Sequence, residues 1–311
     1  MVDKKKVDEL YKQGYRIVGN HSAVKVCMWA KKALLKEDVC YKNTFYGINS
    51  HRCVQMTPSL PFCGNRCVWC WRDIEFTKPK WQGKVDDPKE IIDGCIEAQI
   101  KYLQGFGGNK KTDLARYKES KEPMHFAISL TGEPTLYPKL PQLIDELIAR
   151  KITSFLVSNG TNPVMIRKLV KHQPTQLYVT LPAPDEGTYV KCCKPLIKDG
   201  WKKIIESLGL LKKFKRSVIR LTLVKGKNMI KAEKYAKLIK EARPLFVECK
   251  GYMWVGHSQK RLNIKDMPYH NEIKEFGSRI AKLSGYKVID EKENSRVVLL
   301  AKKDSEKAVV V

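Results

Sequence analysis

The sequence predicts an α/β fold in which parallel strands form a TIM-like barrel or sheet and helices cover its outer face. Short apolar runs of strand length alternate with helical segments from residue 87 onward. Several of these runs end in polar or glycine-containing sequences, as expected where parallel strands end and ligands bind. The 311 residues include 43 % hydrophobic residues, which is enough for a large core.

The predicted elements follow one another in order after a short amphipathic segment at 9–19. The first helix begins at Asp87, a predicted N-cap that a proline follows, and its apolar stripe continues to Leu103. The predicted strands are apolar runs bounded by turn residues, namely 124–130, 154–157, 177–181, 217–224 and 245–248. The predicted helices between and after them are 140–149, 163–171, 201–211, 231–240 and 271–283.

The charge of the chain favours a nucleic-acid partner. Lys and Arg total 59 against 33 Asp and Glu, a formal net charge of +26. A thermophilic proteome would raise Lys and Glu together, whereas this excess is one-sided and suits a polyphosphate. The basic stretch 212–216 and the helical face of Lys231, Lys234 and Lys237 are either a solvated surface or a phosphate-binding surface.

The chain contains neither a membrane span nor a secretory signal. No apolar run reaches about eighteen residues, and the charged N-terminus precedes no apolar segment. We therefore expect a cytoplasmic protein. In that compartment the ten cysteines favour metal binding or catalysis over disulfides.

Cys63, Cys67 and Cys70 form the pattern C-x3-C-x2-C, which predicts an iron–sulfur site. Three thiolates can bind three irons of a cube, whereas a complete protein site takes four cysteines. The open iron can bind the amine and carboxylate of S-adenosylmethionine (SAM), and electron transfer then breaks a carbon–sulfur bond. Zinc sites usually combine two C-x2-C pairs, and this spacing differs. Zinc and buried thiols are the alternatives.

Three more cysteines, Cys27, Cys40 and Cys53, lie upstream of this pattern. They predict a second cluster with an open iron, a zinc site completed by His51, or plain buried thiols. Lys42 follows Cys40 by two residues. It is either a solvated lysine or an amine that forms a Schiff base with a carbonyl substrate.

Two strand-end sequences are candidate cofactor contacts. Thr131, Gly132 and Glu133 offer backbone amides beside a carboxylate, which suits an aminocarboxylate group. Ser158 and Asn159 offer a hydroxyl and an amide for a ribose, although Ser-Asn-Gly is also an ordinary turn sequence.

The cysteine pattern, with Trp69 just before its last cysteine, resembles the signature of radical SAM enzymes. The resemblance implies an incomplete (β/α)6 TIM-like radical SAM barrel with an N-terminal cysteine-bearing extension, and makes Trp69 a cofactor contact. We expect residues 1–55 to form the extension, 56–290 the partial barrel and 291–311 a C-terminal strand or tail.

A closer resemblance, from about residue 20 to 290, is to the 4-demethylwyosine synthases of tRNA wybutosine synthesis, archaeal type. The segments that carry it are 53–58, 70–72, 130–138, 220–226, 247–252 and 267–270. The family converts N1-methylguanosine-37 of tRNA(Phe) into a tricyclic base with pyruvate as carbon donor. A radical from SAM abstracts hydrogen from the methyl group, the carbon radical adds to pyruvate, and carbon–carbon cleavage (a lyase reaction) and ring closure follow.

The same resemblance assigns roles to the predicted site residues. It implies two [4Fe-4S] clusters, a SAM cluster on Cys63, Cys67 and Cys70 and a second cluster that binds pyruvate. The ligands of the second cluster would be Cys27, Cys40 and Cys53. Lys42 aligns with a lysine proposed to form a Schiff base with pyruvate. We also expect a monomer.

Two departures from the family and three rival functions accompany this interpretation. Pro182 stands where family members often have aspartate, so no cofactor contact is assigned there. We expect no flavodoxin-like domain of the kind found in eukaryotic relatives, and therefore a separate electron-donor protein. The rivals are an RNA methylthiotransferase, a glycyl-radical activase, for which the basic charge has no use, and a non-catalytic zinc RNA-binding protein.

Overall fold

One ten-stranded sheet organises the computed structural model, which describes residues 4–302. The strands follow chain order from β1 to β8, and β10 and β9 complete the sheet. Their bounds are β1 Arg16–Val18, β2 Ser22–Val24, β3 Cys53–Thr57, β4 His125–Ile128, β5 Thr153–Ser158, β6 Gln176–Thr180, β7 Ser217–Leu223, β8 Phe246–Gly251, β9 Tyr286–Lys292 and β10 Val297–Lys302.

The sheet is mixed and open. Strands β3 to β8 run parallel to one another. At one edge β1 and β2 pair antiparallel beside β3, and at the other edge β10 pairs antiparallel with both β8 and β9. Because β1 and β9 end the strand order without pairing with each other, six parallel strands form an incomplete barrel. The predicted fold class is confirmed.

Helices connect the parallel strands, as the sequence predicts. Their bounds are α1 Lys4–Lys12, α2 Met28–Leu34, α3 Tyr41–Tyr46, α4 Pro88–Leu103, α5 Leu114–Glu119, α6 Leu140–Ala149, α7 Pro163–Leu169, α8 Glu186–Cys193, α9 Gly200–Leu210, α10 Ala232–Ala242 and α11 His270–Ser284. The Asp87 side chain caps α4 by accepting from the Lys89 backbone N–H at 2.9 Å, in agreement with the predicted start. None of the helices within residues 4–302 has the length and apolar content to span a bilayer.

The outer face of the sheet packs against these helices. Alternate strand residues such as Met56, Leu156 and Leu221 belong to one large apolar core with residues of the covering helices. Cys95 on α4 lies in this core, as predicted for its apolar stripe. Burial of this face provides most of the apolar contact that holds the barrel together.

The inner face changes character along the strands. Near their N-terminal ends Phe155, Tyr178 and Phe246 pack against α3, which fills that end of the barrel with Tyr41 and Tyr46. Farther along the same strands, polar residues replace the apolar ones and line a cavity. The cavity therefore opens at the C-terminal strand ends, where this architecture places ligands.

Candidate active site

A cavity of about 440 Å³ lies at the C-terminal ends of the parallel strands. One wall is the cysteine loop, residues 63–72, and its three cysteines all line the cavity. The six residues predicted to contact SAM line it as well: Trp69, Thr131, Gly132, Glu133, Ser158 and Asn159. Residues from three separate segments of the sequence thus meet at one place.

Residues 192–196, at the end of α8, hold one side of the cysteine loop. The backbone N–H of Arg66 donates to Cys193 O at 2.8 Å, and that of Val68 donates to Cys192 O at 2.9 Å. The backbones of both cysteines therefore have a structural role. The Cys193 thiol also donates a hydrogen bond to Cys67 and lowers the pKa of Cys67.

Arg261 holds the other side of the cysteine loop. Its Nε donates to Val68 O at 3.1 Å, and its Nη2 donates to Cys70 O. The neighbouring His257 backbone N–H donates to Trp71 O at 2.8 Å. The loop is therefore fixed between two parts of the chain that lie more than a hundred residues away from it in sequence.

The charge around the cysteine loop fits an iron–sulfur cluster. The buried guanidinium of Arg72 lies close enough for its charge to favour the thiolates of Cys63, Cys67 and Cys70. Its Nη1 has no hydrogen-bond partner among residues 4–302. Burial, with the nearby charges of Cys67 and Glu133, raises the pKa of Cys63 to about 12 although Arg72 opposes the shift. A cluster held by three thiolates carries net negative charge, which the unused Arg72 donor would offset.

Glu133 connects the two predicted strand-end sequences. Its carboxylate accepts from the Ser158 hydroxyl at 2.7 Å and from the Asn159 backbone N–H at 2.7 Å. It also accepts from the hydroxyl and the backbone N–H of Thr135. This buried carboxylate therefore fixes the end of β4 against the end of β5, which positions the neighbouring groups for a ligand. The Thr131 hydroxyl beside it has no partner among residues 4–302.

Gly132 is required by its backbone conformation. Its φ is +69°, where side chains other than hydrogen are strained. A Cβ here would also overlap the carbonyl oxygen of Ser59. The turn can therefore approach the cavity only as glycine.

The second cysteine group, Cys27, Cys40 and Cys53, gathers behind the inner wall of the barrel. Burial raises the pKa of Cys40 to about 11 and that of Cys53 to about 12, and the Cys27 thiol is close enough to contribute to both shifts. Burial also raises the pKa of the Cys27 thiol. A largely buried, mutually close set of thiols suits a metal cluster.

The zinc alternative for this group does not fit the geometry. His51, its predicted fourth ligand, instead contacts Glu119 at 2.6 Å. Within residues 4–302, no three His, Cys, Asp or Glu side chains meet at the distances of a single-ion site. Cysteines that bind different irons of one cluster stand farther apart than the ligands of a single ion, so this result does not count against a cluster.

Lys42 is buried, not solvated. Its side chain is 6 % exposed, and its Nζ lies 4.8 Å from the ring centre of Phe155 and 4.9 Å from that of Tyr178. Burial lowers the pKa of its ammonium. The charge of Lys42 acts on Cys40 and Cys53, which places the amine beside the second cysteine group.

The sequence analysis assigned no role to two cations that line the same cavity, Arg220 on β7 and Lys250 on β8. Burial lowers the pKa of Lys250 to about 8. The sequence feature that could have identified these two residues is a charged residue within an otherwise apolar strand, as in Ser217–Leu223 and Phe246–Gly251. At the end of β6 the Pro182 carbonyl accepts from Asn228, and Thr180 lines the cavity.

Comparison with known families identifies two regions. Residues 57–239 match the model of the radical SAM superfamily, and residues 241–302 match the model of wyosine base formation. The boundary between the two matches falls just before β8, so both regions contribute to the cavity.

Individual relatives match nearly the whole chain. S-adenosyl-L-methionine-dependent tRNA 4-demethylwyosine synthase from Pyrococcus horikoshii is 49 % identical over 96 % of this chain and 90 % of its own length. The human enzyme of the same name is 39 % identical over 94 % of this chain and 40 % of its own length.

Two solved structures are also similar. One, described as TYW1 with a lysine-pyruvate adduct bound, has a TM-score of 0.89 and 38 % identity. The other, archaeal TYW1, has a TM-score of 0.81 and 35 % identity. In both cases the match covers 98 % of each chain.

Proposed function

The chain belongs to the family of S-adenosyl-L-methionine-dependent tRNA 4-demethylwyosine synthases, and on this premise we propose that it condenses pyruvate with N1-methylguanosine-37 of tRNA(Phe). It is a radical SAM enzyme, and the family implies SAM and one [4Fe-4S] cluster. The main support for the proposed pyruvate condensation is one cavity that lies between the cysteine loop and the cations beside the second cysteine group.

The cysteine-loop side of the cavity would hold SAM. Cys63, Cys67 and Cys70 would bind the cluster, with Trp69 beside them. The strand-end residues Thr131, Gly132, Glu133, Ser158 and Asn159 would position the cofactor. When bound, SAM and the cluster supply hydrogen abstraction from the methyl group of the modified guanosine. Arg72 keeps positive charge at the thiolates, and Glu133 fixes the two strand ends that face the cofactor.

The opposite side would activate pyruvate. Cys27, Cys40 and Cys53 would hold a second [4Fe-4S] cluster, and Lys42 would form an imine with the pyruvate carbonyl. Burial lowers the pKa of Lys42, which favours the neutral amine that attacks a carbonyl. A lysine–pyruvate adduct is described for the similar TYW1 structure. Loss of the pyruvate carboxyl carbon by carbon–carbon cleavage makes the proposed reaction that of a lyase.

The remaining partners and the domain organisation belong to the same proposal. The basic chain would bind tRNA in the cytoplasm as a monomer, and a separate protein would donate electrons. Residues 1–55 would be the cluster-bearing extension, since α2 and α3 with their cysteines precede β3. The partial barrel would span 56–290. Of the proposed C-terminal strand or tail, 291–311, residues 303–311 lie outside the described part.

Anaerobic reconstitution tests the function. The protein is loaded with iron and sulfide and given a reductant, SAM, pyruvate and methylated tRNA, and the digested nucleosides are analysed by mass spectrometry. We expect about eight irons per chain and the tricyclic base. Cys67→Ala should abolish SAM cleavage, whereas Cys40→Ala should retain SAM cleavage and lose the base. Colourless, zinc-loaded protein, or base formation without pyruvate, would contradict the proposal.

The imine gives a prediction for Lys42. Lys42→Ala should retain iron and SAM cleavage but lose product formation by about 100-fold or more, because no side-chain amine then attacks pyruvate. Lys42→Arg keeps the charge and should be equally inactive. Borohydride should trap a pyruvate adduct by mass in the wild type and in neither variant. Wild-type turnover by Lys42→Ala would refute the imine.

A further inference from the structure

In the described part of the chain, the guanidinium of Arg220 lacks a bonding partner. It projects from β7 and lines the cavity. Among residues 4–302, no hydrogen bond or ion pair engages its side chain. By contrast Arg216, four residues earlier on the same strand, donates from Nη2 and Nε to Gln176 Oε1 at 2.9 and 3.1 Å. An arginine with five free donors at a cavity wall is a candidate anion site.

The strand register places a second cation beside Arg220. Arg220 pairs in register with Glu248, and Thr222 pairs with Lys250. Side chains alternate between the two faces of a strand, so these four residues share the inner face of the barrel. The Lys250 Nζ donates to Ser295 O at 2.6 Å, with the Tyr41 ring centre 5.1 Å away.

The carboxylate nearest to these cations is already oriented by other groups. Glu248 Oε1 accepts from the Tyr46 hydroxyl at 2.9 Å, and its Oε2 has no partner among residues 4–302. Arg220 does not bond to it, although the two stand side by side. With Lys42 close by, three cations face one carboxylate in this part of the barrel. A buried charge without a partner is costly, so the arrangement favours an anionic ligand.

We propose that Arg220, with Lys250 beside it, binds the carboxylate group of a small 2-oxo acid. This inference rests on the proposed function, in which such an acid is the carbon donor. A guanidinium can donate two parallel hydrogen bonds to a carboxylate. Holding the acid by that end leaves its carbonyl free to face Lys42, whose charge acts on Arg220 within the same cluster of groups.

The position of Arg220 favours the oxo acid over the carboxylate of SAM. The thiol close enough to act on Arg220 is Cys40 of the second cysteine group. The cysteine loop has its own cation, Arg72, and Cys63 is influenced by Arg72 and Glu133. The two cations thus serve opposite sides of the cavity.

Equilibrium dialysis of the anaerobic holoenzyme with radiolabelled pyruvate tests the proposal, alongside pyruvate saturation of base formation. Arg220→Met should raise both the Kd and the KM for pyruvate about 100-fold, the usual cost of removing one partner of a hydrogen-bonded charge pair. Arg220→Lys keeps the positive charge but cannot donate two parallel hydrogen bonds, and it should raise the Kd and the KM for pyruvate about tenfold. The KM for SAM in cleavage without tRNA should not change.

Selectivity between substrates provides a second measurement, which would not change if the role of Arg220 were only structural. The wild type should prefer pyruvate to its neutral amide, pyruvamide, and Arg220→Met should lose that preference. Arg216→Met is the matched control, because Arg216 does not line the cavity, and it should behave as the wild type. Iron content and melting temperature check that each variant is folded. If Arg220→Met does not fold, Arg220→Lys replaces it in the same measurements.

Three results would overturn the assignment, and one would instead refute the function. Unchanged pyruvate affinity in both Arg220 variants, or a retained preference for pyruvate over its amide, would exclude a carboxylate site here. A raised KM for SAM alone would assign Arg220 to the cofactor. If the wild type itself forms no base from pyruvate, the proposed function fails, whatever the variants do.

Discussion

His125 shows how burial fixes the charge of a single residue in this barrel. The ring is buried at the start of β4. The Asn49 backbone N–H donates to Nε2 at 3.0 Å, and Nδ1 lies 2.6 Å from Thr153 Oγ1. Because Nε2 must accept, the ring is neutral with its proton on Nδ1. Burial, and then the charges of Arg52, His51 and Lys42, lower the pKa of His125 to about 4.

This neutral ring predicts a pH dependence of stability. Between about pH 6.5 and 4 the unfolded state binds a proton at His125 that the folded state does not. The stabilisation is therefore complete above pH 6.5 and falls as pH drops toward 4, by about 3 kcal/mol. Urea unfolding between pH 4 and 7.5 measures it. His125→Gln should flatten the curve in this window, and parallel curves for variant and wild type would contradict the assignment.

Local motifs make some site residues predictable and leave others hidden. The three cysteines of the loop lie close together in the chain, and so do the residues of each strand-end sequence. Their chemistry can therefore be inferred without tertiary structure. Lys42 cannot be interpreted in that way, because the rings that bury it, Phe155 and Tyr178, lie more than a hundred residues away. Arg220 is recognisable only when its strand face and its lack of a partner are known.

At the scale of elements, the cysteine loop depends on two segments that are distant in sequence. The segment after α8 supports it through backbone hydrogen bonds, and Arg261 supports it through its guanidinium. Arg261 belongs to the region that matches wyosine base formation, whereas the loop belongs to the radical SAM region. The family-specific part of the chain therefore stabilises the cysteine loop of the radical SAM region.

This contact predicts the effect of Arg261→Met. Losing the charged donors to Val68 O and Cys70 O should loosen the loop, because hydrogen bonds from charged groups are worth about 1.5–3 kcal/mol each. Iron should leave this cluster about tenfold faster or more in the presence of a chelator, and SAM cleavage should fall by a similar factor. The absorbance of the released iron complex measures the rate.

Two comparisons make the Arg261 experiment specific. Lys260→Met alters the exposed neighbour of Arg261 and should release iron at the wild-type rate. A variant without the three cysteines of the loop identifies the signal of the proposed second cluster, which Arg261→Met should leave unchanged. Equal loss from both clusters would indicate general destabilisation instead.

Element prediction succeeded where helices and strands are regular and long. The α6 helix has the predicted bounds, and the five predicted strands all lie in the parallel part of the sheet. The analysis missed β3 and the short β1 and β2, because three to five residues between cysteines and turns carry too little periodicity. The β9 strand was also missed, since its exposed, charged sequence resembles a loop.

At the scale of the whole molecule, parallel strands give the barrel two chemically different ends. The cavity opens at the C-terminal ends, where the exposed apolar side chains Met253 and Val255 line its mouth. A modified base that leaves its stacked position in an RNA loop could enter there. The net charge of +26 does not by itself indicate which end of the barrel binds RNA, because exposed lysines occur at both ends.

The exposed lysines near the cavity differ in their ion pairs. Lys231 and Lys234, on the face considered in the sequence, pair with Asp185 at 2.8 and 3.0 Å. Lys194, Lys198 and Lys260 are exposed, and their side chains form no ion pair with residues 4–302. They belong to the two segments that flank the cysteine loop. Because these charges lie beside the cavity that the modified base would enter, we expect this end to face tRNA phosphates.

Two triple variants with the same loss of charge test this surface. Lys194→Ala/Lys198→Ala/Lys260→Ala should weaken tRNA binding about tenfold or more, and should reduce the slope of log affinity against log salt by about 2–3. Lys212→Ala/Lys213→Ala/Lys215→Ala removes exposed charge just before β7, at the opposite end, and should do neither. Filter binding at several salt concentrations measures both quantities. SAM cleavage without tRNA should persist in both, and an equal loss of affinity in the two variants would mean that net charge, not this end of the barrel, determines binding.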